Sequence, residues 1–175
     1  MAENILALFE KEQQVVLQKL DEIDGAINNL KYKGKIFRGR NMKTIEKNVK
    51  CLKSKLSQHI AIDEKVIFPF LKKHIPKLEP LLYFLRAERK EFESSLKNFE
   101  TLFEKLKDEE GGCIKGDTIR QLNEKGLYVI CIMRNHIQME TQSVYKPIGR
   151  HLRPEEKKDL LRKCFAFMAA RRQRT

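Results

Sequence analysis

The sequence predicts an all-α chain: two helical hairpins of one pattern, then a closing helix. Three observations predict it. Apolar residues recur with a helical period along most of the chain, and no convincing run alternates with a period of two. The stretch from Gln58 to Pro69 holds a His-x-x-x-carboxylate pair, His59 and Asp63, which returns as His136 and Glu140, 77 residues later; His74 and His151 keep that offset. The segment Leu8 to Glu12 is echoed by Phe84 to Glu88 at an offset of 76. At 175 residues the chain suits a single domain over residues 1–175, with the hairpins over about 3–152 and the closing helix over about 154–171.

Helix one is expected from about Glu3 to Leu30, with a stripe of Ile5, Leu8, Phe9, Val15, Val16, Leu20, Ile23 and Ile27 that encloses Glu12. A basic loop containing Gly34 and Gly39 follows. Helix two is expected from about Met42 to His74, on a stripe from Ile45 to Phe70. Asp63 lies at its centre, His59 about 40° to one side and Glu64 about 100° away at a helical turn of ~100° per residue. Pro69 should bend or loosen the last turns.

Pro76 and Pro80 bracket the next turn, and Pro80 suits the first position of helix three. That helix should run to about Leu106 on a stripe of Leu81, Phe84, Leu85, Phe92, Leu96, Phe99 and Phe103, with Glu88 inside it. After a glycine-rich loop, Asp117 is a plausible N-cap for helix four. There Glu140 sits mid-stripe and His136 to one side, in the same sense as on helix two. The closing helix should run from near Pro154 to near Arg171 and pack through Leu160, Leu161, Cys164, Phe165 and Met168.

Six polar residues therefore fall on core-facing stripes: Glu12, His59, Asp63, Glu88, His136 and Glu140. A buried, unpaired carboxylate costs several kcal/mol, against roughly 5–15 kcal/mol of net stability for a domain. Four of them need countercharge, and no Lys or Arg is expected at the centre of these stripes near the six. Metal ions then supply the charge. Four carboxylates and two imidazoles suit iron, with manganese as the second choice, and four negative charges would neutralise two divalent ions. Glu64 is the alternative to Asp63, through its longer side chain. His74 and His151 read as helix-end residues, Tyr83, Tyr128 and Tyr145 as packing residues, and Cys131 as a small core residue.

The order His-x-x-x-Glu/Asp, the following Phe68-Pro69 and the placement on helices two and four resemble the hemerythrin-like (HHE cation-binding) domain family, over roughly Ile5 to Leu152. The resemblance implies an up-down four-helix bundle around a di-iron centre. It implies ligand roles for His59 and His136 and bridging roles for Glu140 and Asp63. The chain departs from the family where helices one and three are expected to supply His, because Glu12 and Glu88 stand there. Extra carboxylate favours ferric iron. The expectation is a di-iron protein that reacts with dioxygen, peroxide or nitric oxide, as an oxidoreductase or ferroxidase, rather than an oxygen carrier. The alternatives are a non-catalytic iron- or oxygen-sensing module and a metal-free basic bundle.

The bulk properties narrow the setting. The longest wholly apolar run, Leu127 to Met133, is far short of the ~20 residues that span a bilayer. Cys51, Cys113, Cys131 and Cys164 form no Cys-x-x-Cys pair, which suits reduced thiols in a cytoplasm. The net charge of +12 collects partly in residues 31–43 and in the tail. It offers a surface to an acidic partner, but no nucleic-acid motif accompanies it, so neither nucleic acid nor membrane is expected as a partner.

Overall fold

A computed structural model describes residues 5–32, 37–108 and 116–172. All their regular structure is helical. Helix α1 spans Ile5–Tyr32. Helix α2, Arg38–Ile62, continues through a π-helical turn, Asp63–Ile67, into α3, Phe68–His74. A 3-10 turn, Pro76–Leu78, leads into α4, Glu79–Asp108. Helix α5, Gly116–Glu140, continues through a second π turn, Thr141–Tyr145, into α6, Lys146–His151. Helix α7 spans Pro154–Arg172.

Cross-helix pairs fix the directions. Glu46 meets Lys107, Lys53 meets Glu100 and Glu64 meets Arg86, so α2 and α4 are antiparallel. Phe9 stacks on Tyr145, Gln13 bonds Glu140 and Asp21 pairs with Arg134, so α1 and α5 are antiparallel. Glu88 bonds His136 and Glu91 bonds Tyr128, which sets α4 against α5 in the same way. With α1 packed on α2, this is an up-down four-helix bundle, and α7 closes over α2 and its π turn.

Two apolar cores fill the bundle. One joins Leu20, Ile45, Leu52, Phe99, Leu106 and Leu122. The other joins Phe9, Ile67, Phe68, Leu85, Val144, Ile148, Leu160 and Cys164. Between them, at matching heights on all four helices, lies a polar layer of Gln13, His59, Asp63, Arg89, His136 and Glu140.

The π turns share a cause. The amides of Phe68 and Lys146 each reach back five residues, to the carbonyls of Asp63 and Thr141. Each of these residues precedes a proline, Pro69 or Pro147. Proline has no N–H, and its ring pushes away the carbonyl four residues before it. An i→i−5 turn absorbs that displacement without breaking the helix. The expected loosening at Pro69 is thus a widened turn.

Some packing differs from the sequence reading. Phe84 is 49% exposed and Phe165 38% exposed, while Phe167 packs where Phe165 was expected. Cys131 is exposed. Helix α4 begins one residue before Pro80, and Asp117 lies inside α5, where it accepts a bond from Arg120 rather than capping the helix. The side chains of Ile5 and Leu8, Cys113, Gly34 and most of the glycine-rich loop lie outside the described residues.

Two helix-interior glycines should respond oppositely to substitution. A Cβ on Gly126 would lie 2.4 Å from Ile27 Cδ1 and 3.0 Å from Phe99 Cε2, whereas one on Gly25 would meet nothing within 4 Å. Gly126→Val should destabilise by about 1–3 kcal/mol through overpacking, and Gly25→Ala should stabilise by up to about 1 kcal/mol. Urea midpoints of the two variants test both signs.

Candidate metal centre

The polar layer sits where the stripes of four helices meet. Asp63 and Glu140 are fully buried, on α2's π turn and at the end of α5. One turn before each stands a histidine, because residues four apart share a helix face. His59 Nε2 lies 3.3 Å from Asp63 Oδ2 and 3.0 Å from Glu140 Oε2. Ligand-type atoms of His59, Asp63 and Glu140 all lie within 4.8 Å of one another. They are the set among the described residues that could hold a metal ion.

The layer also contains a cation that the sequence reading excluded. Arg89, 6% exposed, donates from Nη2 to Asp63 Oδ2 and, at 3.2 Å, to Glu140 Oε1. Its guanidinium lies over the Phe68 ring, 4.8 Å from the centroid. The buried residues of α4 run Leu82, Leu85, Arg89, Phe92, Leu96, Phe99, Phe103 and Leu106, alternating steps of three and four. Arg89 occupies the step that would otherwise be empty. Including Phe84 in the stripe had turned its centre toward Glu88. Helix α1 shows the same shift: Gln13 is buried on the line of Phe9, Leu20, Ile23 and Ile27, and Glu12 lies beside it, half-buried.

Glu88 and Glu12 therefore sit at the rim. Glu88 Oε2 accepts from His136 Nδ1 at 3.2 Å, which leaves the lone pair of the neutral ring on Nε2. Glu12 lines a cavity of about 20 Å³ together with His59, His136 and Glu140. That volume admits a water molecule or a small diatomic. Glu64, the alternative carboxylate, turns outward to Arg86 at 2.7 Å. Gln13 Nε2 donates to Glu140 Oε2 at 3.2 Å, and Thr141 Oγ1 donates to Gln13 Oε1 at 2.9 Å, so Glu140 is held from a second side.

Charge and burial set the protonation states. Burial alone would lower the His59 pKa, but Asp63 and Glu140 outweigh it and raise the pKa to about 9. Burial, with Glu140 adding to it, lifts Asp63 to about 7 against the pull of His59 and Arg89. Burial also opposes ionisation of Glu140, yet His59, His136 and Arg89 hold it well below the usual carboxylate range. Burial lowers His136. Tyr145 is kept protonated by burial and by both carboxylates, and Cys164 is pushed up to about 12 by burial, then by Asp63 and Glu12. Tyr83 and Tyr128 lie on the surface, away from the layer. His74 bonds Glu156 and His151 neighbours Lys77, both at helix ends.

The donor set suits a metal cation. Asp63 Oδ1 is buried and has no hydrogen-bond partner. An orphaned carboxylate oxygen beside a second carboxylate and an imidazole is what a hard or borderline metal requires. Arg89 already holds one oxygen of each carboxylate.

No curated protein matches the chain significantly. The family model of the hemerythrin HHE cation binding domain matches residues 4–159, most of the chain and all of the polar layer. Domains of that family bind metal cations, typically iron. The bundle, the paired histidine–carboxylate turns and this match agree: the chain belongs to the hemerythrin HHE cation-binding domain family.

Proposed function

We propose that the chain is a non-haem iron protein whose metal seat is His59, Asp63 and Glu140, and that it reduces a small oxidant: dioxygen, peroxide or nitric oxide. The observation that carries this reading is the convergence of those three ligand-type atoms beside the orphaned Asp63 oxygen. When bound, iron would supply the electrons for the reduction. The chain's own residues prepare the seat. Gln13 and Arg89 fix the rotation of the Glu140 carboxylate, and Glu88 fixes the tautomer of His136. Apolar cores flank the layer on both sides, and the small cavity beside His59, His136 and Glu12 gives an oxidant a place next to the seat.

One observation favours a second reading, a metal-free bundle. Arg89 and a protonated His59 together balance the charges of Asp63 and Glu140. The layer therefore tolerates loss of metal better than four uncompensated carboxylates would. Anaerobic loading with ferrous iron, metal analysis and stopped-flow oxidation separate the readings. The iron reading expects retained iron that is oxidised on mixing with one of the three oxidants; the metal-free reading expects none retained.

His59→Ala and Asp63→Asn should each weaken iron binding on the order of 100-fold or more, beyond the 10–100-fold typical of groups that only support a ligand. Glu64→Gln, on the outward-facing carboxylate, should leave binding within a few-fold. Equilibrium metal competition measures all three, and a larger loss for Glu64→Gln would move the seat to that residue.

Metal must displace the His59 proton, so affinity should rise with pH up to about 9. Stability of the chelator-treated protein should move the other way. The folded-state pKa of His59 lies above its ordinary 6.5, so its contribution is complete below about 6.5 and is lost as pH rises through about 9. At ~1.36 kcal/mol per pKa unit the loss is at most roughly 3 kcal/mol. Thermal unfolding from pH 7 to 10 should show a steeper decline in the wild type than in His59→Gln.

A further inference from the structure

We infer that Arg89 is a built-in second cation, so that the centre takes a single metal ion where a carboxylate-bridged pair would otherwise assemble. The inference rests on the metal-binding reading above and adds the stoichiometry of that site.

A bridged pair needs each bridging carboxylate to give one oxygen to each ion. Here one oxygen of each carboxylate is already engaged. Asp63 Oδ2 and Glu140 Oε1 both accept from the same nitrogen, Arg89 Nη2. Asp63 Oδ1 has no partner, and Glu140 Oε2 faces His59 Nε2 at 3.0 Å. Both carboxylates thus already share one permanent cation, Arg89, and one imidazole, His59, whose Nε2 lies 3.3 Å from Asp63 Oδ2 and 3.2 and 3.0 Å from the two oxygens of Glu140.

Arg89 cannot readily leave. It stands at a core position of α4 between Leu85 and Phe92, it is 6% exposed, and its guanidinium lies over Phe68. Moving it outward would empty part of the layer and strip both carboxylates of a permanent cation. A guanidinium also has no lone pair to offer a metal, so it can replace an ion but cannot bind one. Two of the carboxylates that could serve a second ion are engaged elsewhere. Glu88 is bonded to His136, and Glu64 is turned to Arg86.

The test uses the full chain, stripped with chelator and titrated with Mn2+. It reads bound metal per chain and the electron paramagnetic resonance spectrum, which separates a lone ion from an exchange-coupled pair. Wild type and Arg89→Lys should bind one ion per chain with an uncoupled signal. Arg89→Met, which keeps the length and apolar stem, should bind up to two, with a coupled signal. Arg89→Gln serves if the Met variant does not fold, and the wild-type count stands without either. Two coupled ions in the wild type would overturn the inference, as would a folded Arg89→Met or Arg89→Gln variant that still takes one. No bound metal in the wild type would remove the metal-binding reading itself, and this inference with it.

Discussion

The guanidinium of Arg89, clamped between Asp63 and Glu140, is the interaction on which the rest of the centre depends. Two carboxylates with no exposure cannot remain ionised side by side without a cation in contact. Arg89 meets that need from a third helix, so it also ties α4 to α2 and α5 at one height of the bundle. Around it the polar groups form one connected set. His59 reaches both carboxylates, and Gln13 reaches Glu140 while accepting from Thr141. Such a layer fixes the register of the helices, because sliding any one of them by a turn would bury unpaired charge.

Most of the architecture was legible in the sequence. Four long amphipathic stretches, the proline-marked turns and the two offsets of 76 and 77 residues are enough to read two matching hairpins. The histidine–carboxylate pairs on α2 and α5 were legible too, since four-residue spacing leaves little freedom in which face they share. Helices α1 and α4 were read one residue out of phase. Leu8 and Val15 on one, and Phe84 on the other, drew the stripe toward Glu12 and Glu88. The alternating three-and-four spacing of the fully buried residues favours Gln13 and Arg89 instead. A long side chain such as Arg is a poor marker of burial when composition alone is weighed, because it is mostly found exposed. Here its place in the spacing was the better guide.

The π turns were only half legible. Pro69 and Pro147 stand within one residue of the 77-residue offset between the hairpins, and the core spacing after each carboxylate stretches to two successive steps of four: Asp63 to Ile67 to Leu71, and Glu140 to Val144 to Ile148. An undistorted helix would drift off its face under that spacing. One wide turn restores it, so the apolar residues below each carboxylate still point inward. The carboxylates consequently sit at the start of a locally widened helix, where the backbone has room for the polar layer.

Helix α7 closes the bundle over the π turn that carries Asp63, with Leu160 and Cys164 fully buried. Cys164 lies close enough to Asp63 and Glu12 for their charge to act on its thiol. Sulfur is oxidised chiefly as the thiolate. Burial and the neighbouring carboxylates suppress that form, so the closing helix holds a buried thiol beside the polar layer in its least reactive state. The negative charge that would attract a metal ion also keeps that thiol protonated.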